Sequence, residues 1–172
     1  LSIQDPSSLG HQPMISEDGN AVLVFNGEIY NFKELRIDLI SKGVKFISNT
    51  DTEVLLNLYL KEGKEMLSSL NGIFAFAIWD KREKSLFIAR DNFGVKPLYY
   101  SSLNNSFFFA SEIKAIAPIL KGSSQLDIEA IQSYLTYLWC PGKQTPIKSV
   151  NKLLPGEAMI IIEGIIDSCW KW

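Results

Sequence analysis

The 172-residue sequence contains one histidine, His11, and two cysteines, Cys140 and Cys169. A serine–histidine–carboxylate triad would have to use His11, in the loop GHQPM (residues 10–14), and no nucleophile-elbow pattern accompanies it. The cysteines have neither CxxC spacing nor a second histidine nearby, which argues against a structural zinc site and against a disulfide framework. No metal ligand set is expected. Free cysteines suit a reducing compartment, so a cytoplasmic protein is expected. Glycine-rich phosphate loops are missing: nothing matches GxxxxGK[ST] or GxGxxG. So is a surplus of charge, with 17 basic against 19 acidic side chains and a net charge of -2. That balance leaves no electrostatic footprint for nucleic acid or an anionic membrane surface. Apolar runs such as residues 73–79 and 159–162 are too short to span a bilayer, and no signal-peptide pattern opens the sequence.

What is present is a core. Hydrophobic residues make up 47% of the sequence and aromatics 12%, enough for one domain that buries most of its unfolded surface. The first twenty residues are rich in proline, glycine and polar side chains and read as a loop-rich entry with a short strand at residues 1–4. Residues 21–25 (AVLVF) predict a buried strand that stops at Asn26-Gly27. Residues 31–41 carry apolar side chains at helical spacing. A second helix is introduced by Thr50 and Glu53 as a capping box and closed by Gly63, which puts Asp51 in its first turn. Strands follow at residues 73–79, 86–89, 98–100 and 107–110, then helices at 112–120 and 127–138 and a late strand at 154–162. Runs apolar at every position imply sheet faces covered on both sides. The expected fold class is therefore α+β, a layered sandwich of mostly antiparallel strands between helices, in one domain over residues 1–172.

Several polar groups sit at the ends of these elements. Asn26 and Gly27 follow a buried strand, where a carboxamide and a backbone N–H can converge as an oxyanion hole; an Asn-Gly pair is equally at home as plain turn geometry. Asp51 at a helix N-terminus is accounted for by the helix dipole, and a substrate ammonium is the alternative. Arg90 and Asp91 read as a structural polar corner. Cys140, before Pro141-Gly142, has no neighbouring base and reads as a small buried thiol rather than a nucleophile; Cys169 is a weaker candidate still.

Taken together, LSIQD (1–5), GHQPM (10–14), NGEIYN (26–31), SNTDTEVLL (48–56), LNGIFAFAIWD (70–80), ARDNFGVKPLYY (89–100) and FASEIKAI (109–116) resemble, in this order, the glutaminase domain of glutamine-hydrolysing asparagine synthetases. Residues 155–172 resemble the connection toward that family's synthetase domain. The resemblance implies an N-terminal-nucleophile hydrolase fold, an αββα sandwich, and a class II amidotransferase mechanism. In that mechanism an N-terminal cysteine attacks the glutamine amide and its own α-amine, with a pKa of about 7.7–8.0, serves as base. A sequence poor in histidine suits this chemistry. The same resemblance makes Asn26 and Gly27 the oxyanion hole and Glu28 and Asp51 partners of the glutamine α-ammonium. It makes Leu1, Ser2, Ile3 and Gln4 the backbone lining of the glutamine pocket. Arg90, Asp91 and Lys96 stay structural, and Asn92 departs from the arginine common in that loop.

The family's Cys-Gly start and the arginine before its LSI segment have no counterpart in these residues. The 172 residues alone are therefore expected to release no ammonia from glutamine, and to associate or dissolve poorly through unpaired sheet edges. Glutamine is the expected ligand, and the missing N-terminal segment and a C-terminal synthetase domain are the expected partners, with a homodimer left open. No cofactor is expected here; ATP and magnesium belong to the synthetase domain. The alternatives are an amidotransferase for another carboxylate or sugar acceptor, and a non-catalytic glutaminase-like interaction module.

Overall fold

The computed structural model describes residues 10–120 and 125–172. A six-stranded antiparallel sheet runs in the order β1 (Met14–Ile15), β2 (Ala21–Ile29), β3 (Gly72–Asp80), β4 (Ser85–Arg90), β8 (Glu157–Ile162), β9 (Ile165–Lys171). A three-stranded sheet orders β6 (Ser106–Ala110), β5 (Tyr99–Leu103) and β7 (Asn151–Lys152). The helices are α1 (Phe32–Ser41), α2 (Asp51–Glu62), the short α3 (Ile113–Ile116) and α4 (Ile128–Tyr137), with a 3-10 helix over Gly63–Ser69.

Period-two alternation of apolar side chains sorts these elements into layers. On β3, Phe74, Phe76 and Ile78 pack against Val54, Leu55 and Leu58 of α2. Ala75 and Ala77, between them in sequence, face the second sheet, where they share a core with Leu98, Tyr100 and Met159. β4 and β8 divide in the same way: Phe87, Ala89 and Ala158 go to the helical side, Ile88, Met159 and Ile161 to the inter-sheet side. The outer face of the second sheet, with Tyr99, Phe108 and Ala110, is closed by Ile116, Leu120 and Val150. The layers thus run helix, sheet, sheet, helix, as the α+β αββα reading expects. Each fully buried Phe or Leu in these cores contributes roughly 1.5–3 kcal/mol.

The α2 N-terminus forms as its sequence predicts, but half of the capping box is rerouted. Thr50 Oγ1 accepts from the Glu53 N–H at 3.1 Å, whereas the Glu53 carboxylate takes the N–H groups of Ile47 and Ser48 and the Ser48 hydroxyl. The preceding loop, not Thr50, is what Glu53 secures. Other expectations need correcting. The second strand does not stop at Asn26-Gly27; β2 continues to Ile29, because its pairing with β3 runs on to Gly72. The helix expected over 112–120 shortens to α3, followed by turns. β9 was not anticipated: its side chains alternate between exposed and half-buried, too faint an apolar pattern to announce a strand, yet it pairs with β8 along its length and is followed by Trp172, stacked on Phe74 with ring centroids 5.7 Å apart. β8 and β9 are accordingly the last two strands of this sheet.

Candidate active site

The edge of β2 is built by strand parity. β1 covers only Val22 and Leu23, so from Val24 onward the outer edge of β2 has no strand partner among the described residues. Gly27 lies opposite Phe74, and Phe74 directs its own polar groups away from β2, to Asp91: its N–H donates to Asp91 Oδ2 at 3.2 Å and its carbonyl accepts from the Asp91 N–H at 2.7 Å. The Gly27–Phe74 pair is therefore a non-hydrogen-bonded one, and the Gly27 N–H points outward along the free edge. On that same edge the Phe25 N–H donates to Gln12 Oε1 at 2.6 Å and the Ile29 N–H donates to Asp51 Oδ2 at 3.0 Å. Two side chains occupy the flanking donors, and among the described residues nothing takes the one at Gly27.

Glycine is required there. A Cβ at Gly27 would stand 2.1 Å from the Ile73 carbonyl oxygen and 2.7 Å from Phe74 Cα, at a φ of 153°. Gly72 answers it from β3, where a Cβ would meet the Glu28 carbonyl oxygen at 2.3 Å. The two strands approach too closely at this point for any side chain.

Asn26 pairs with Ala75 and so projects between the sheets, where its Nδ2 donates to Ser111 Oγ at 3.4 Å. Ser111 follows β6, so this bond crosses from one sheet to the other. A cleft of 150 Å³ opens there, lined by Gln12, Asn26, Ala75, Phe109 and Ser111 among others. The Asn26 carboxamide lines this cleft from the sheet face, and the N–H of its neighbour Gly27 lies on the sheet edge. Beyond Gly27, Asp51 is 5% exposed at the start of α2. Burial pushes its carboxyl above the usual range, the N–H groups of Ile29, Thr52 and Asp51 itself oppose that, and the neighbouring Glu28 charge adds to the rise. Two carboxylates thus crowd the far end of the same edge. Asn31 fixes the chain as it leaves: its Nδ2 donates to the Ser69 carbonyl and its Oδ1 accepts from the Asn71 N–H.

Of the residues singled out from the sequence, Asn26, Gly27, Glu28 and Asp51 come together along this edge; Leu1, Ser2, Ile3 and Gln4 lie outside the described residues. Gln12 and Ser111 were not foreseen. Gln12 lies within the GHQPM segment, but which strand N–H it would cover depends on the fold, and Ser111 meets Asn26 only through sheet packing.

The remaining candidates are elsewhere. Arg90 and Asp91 are structural, though not as a pair: Arg90 donates to the carbonyls of Lys96, Leu153 and Gly94, while Asp91 collects backbone N–H groups. Lys96 takes part through its backbone alone. Cys140 is buried and its Sγ donates to the Ala130 carbonyl at 3.4 Å, as a small structural thiol does. No helix among the described residues is long and apolar enough to cross a membrane.

The glutamine amidotransferase domain family matches residues 1–170. Asparagine synthetase (glutamine-hydrolyzing) 1 of Bacillus subtilis is 43% identical over 161 residues, which are 94% of this chain and 25% of that protein. A putative asparagine synthetase (glutamine-hydrolyzing) 2 of Methanocaldococcus jannaschii is 35% identical over 176 residues, 93% of this chain and 34% of that one. The chain thus spans a quarter to a third of the length of these relatives. Among solved structures, the glutamine phosphoribosylpyrophosphate amidotransferase from B. subtilis superimposes with a TM-score of 0.67 at 23% identity, covering 93% of this chain and 31% of that one, and shares its fold. This chain belongs to the glutamine amidotransferase domain family and is homologous to the glutamine-hydrolysing domain of asparagine synthetases.

Proposed function

We propose that this domain releases ammonia from the side-chain amide of glutamine for a synthetase domain of the same protein, which uses ATP and magnesium to amidate aspartate. The observation that carries the reading is the β2 edge, where the Gly27 N–H has no partner among the described residues, between two occupied donors and next in sequence to the Asn26 carboxamide. A tetrahedral intermediate on the glutamine amide places its oxyanion there, where Asn26 and Gly27 donate to it. Glu28 and Asp51 hold the α-ammonium, about 7 Å further along the strand, a span commensurate with the distance between the two ends of glutamine. The nucleophile is the N-terminal cysteine of this family, with its α-amine as base, and the domain itself works without metal or cofactor. A cytoplasmic setting suits this chemistry.

The test uses the full-length protein and measures ammonia and glutamate from glutamine. Equimolar release is expected, and Cys140→Ser retains it, because that thiol is committed to the Ala130 carbonyl away from the edge. No turnover by the full-length protein would favour the non-catalytic module, and turnover abolished by Cys140→Ser would displace the nucleophile. Product identification with aspartate against other carboxylates settles the acceptor.

Ser111→Ala gives a smaller, separable effect. Losing one neutral hydrogen bond frees the Asn26 carboxamide to turn, and kcat for glutamine hydrolysis falls roughly 2- to 10-fold, the equivalent of about 0.5–1.5 kcal/mol. Ser111→Thr restores it, and ammonia-dependent synthesis is unaffected by either change.

A further inference from the structure

How β1 begins decides what the edge of β2 offers. The register of the two strands sets Met14 opposite Leu23 and Ile15 opposite Val22. Carried on, the same antiparallel register would set Gln12 opposite Phe25 and Gly10 opposite Gly27, and the main-chain carbonyls of Gln12 and Gly10 would take those two outward N–H groups. The chain does not follow that path. Pro13 holds φ near about −65°, away from the roughly −140° of an antiparallel strand, and β1 starts only at Met14. The Phe25 N–H is then taken by the side-chain Oε1 of Gln12, at 2.6 Å, rather than by a ladder carbonyl. A side chain stands in for a strand. A strand covers every outward donor it passes, whereas Gln12 covers one, and among the described residues nothing takes the next, at Gly27.

We propose that Gln12 is a positioning residue of the oxyanion site, an inference that rests on the function proposed above. Its carboxamide oxygen pins β2 at Phe25, and the Asn26 carboxamide and the Gly27 N–H, one and two residues further on, take their aim from that pin. Glycine makes the pin necessary. Gly27, with no Cβ and a φ of 153°, is the point of β2 with the widest conformational choice, so an edge left to itself would flex there. Asp51, which accepts from the Ile29 N–H at 3.0 Å, is the matching pin on the far side. The open donor is thus held between two fixed ones. Gln12 also lines the inter-sheet cleft with Asn26 and Ser111, so both of the side chains that steady the Asn26 stretch border the same space. Gln12 acts on the reaction through the strand, not by touching the substrate.

Gln12→Met in the full-length protein tests this, because methionine keeps the length of the side chain and removes the acceptor. The position is half-buried and gives up one hydrogen bond, so the variant should fold. Its kcat for glutamine hydrolysis should fall about tenfold, inside the roughly 10²-fold that a misplacement of about 1 Å can cost, with KM for glutamine held. Amide hydrogen exchange should quicken across residues 22–29. Synthesis from added ammonia, measured alongside, should not change. A kcat within about twofold of the unsubstituted protein would overturn the proposal, as would a loss carried by KM alone. So would a lowered kcat with exchange across β2 unaltered, since the strand would then not be what transmits the effect. Asn26→Ala separates this proposal from the reading beneath it. If that change lowers kcat and Gln12→Met does not, Gln12 alone loses its role; if neither does, the oxyanion reading falls and this proposal with it.

Discussion

Asn26→Ala should lower kcat for glutamine hydrolysis by about 10²- to 10³-fold, the equivalent of about 3–4 kcal/mol, with KM little changed. In the proposed site the carboxamide lies away from the ammonium end, so substrate would still bind through its α-ammonium while the developing oxyanion would lose one of its two donors. Stability hardly shares in the loss. Asn26 is half-buried and, among the described residues, its side chain makes one long bond, to Ser111 at 3.4 Å, so its removal costs about 1 kcal/mol of folding free energy. Synthesis driven by added ammonia should be unchanged, which separates an oxyanion role from a general disturbance of the protein. Asn26→Asp should be at least as damaging, because a carboxylate would face a developing negative charge. Measured kcat within tenfold of the unsubstituted protein would remove Asn26 from the oxyanion site.

The layers were legible in the sequence, because 73–79 is apolar at every position and only a strand covered on both faces needs that. The site was legible in part. Asn26 and Gly27 announced themselves as a polar pair after a buried strand, but read locally the pair looks like a stop. What keeps β2 extended is remote: Gln12 and Asp51 satisfy the N–H groups that an edge strand would leave bare, and Gly72 makes room opposite. Ser111 could not be seen at all, since its meeting with Asn26 spans 85 positions in the chain and exists only through the packing of one sheet on the other. The helix expected over 112–120 erred for a related reason. Ile113, Ile116 and Leu120 do carry a helical spacing, and a turn-rich path that presents them to the second sheet satisfies the same burial.

Asp91→Ala should be among the most destabilising single changes in this domain, by about 4 kcal/mol or more. The side chain is 0% exposed, and its two oxygens accept from Phe74, Phe93, Val95 and Lys96 at 3.0–3.2 Å. Each buried donor left without a partner costs about 1–3 kcal/mol, discounted where the loop can turn toward water. Asn in its place offers one acceptor oxygen and sets an amide NH₂ against the remaining donors, so Asp91→Asn should recover little. Arg90 falls with it, because the carbonyls of Gly94 and Lys96 that it binds belong to the same loop. The effect also reaches the candidate site. Phe74 is the β3 residue opposite Gly27, and Asp91 satisfies its outward N–H; with that anchor gone, the close approach of β2 and β3 at Gly27 loses its rigid backing. Hydrogen exchange of the full-length protein should show it as earlier opening across β3, by about 4 kcal/mol in local stability, out of the 5–15 kcal/mol typical of a domain. Amide protection across β3 that changes by less than the equivalent of about 1 kcal/mol would mean that solvent or a rearranged loop satisfies those donors, and that the corner is not what holds the strand pair in place.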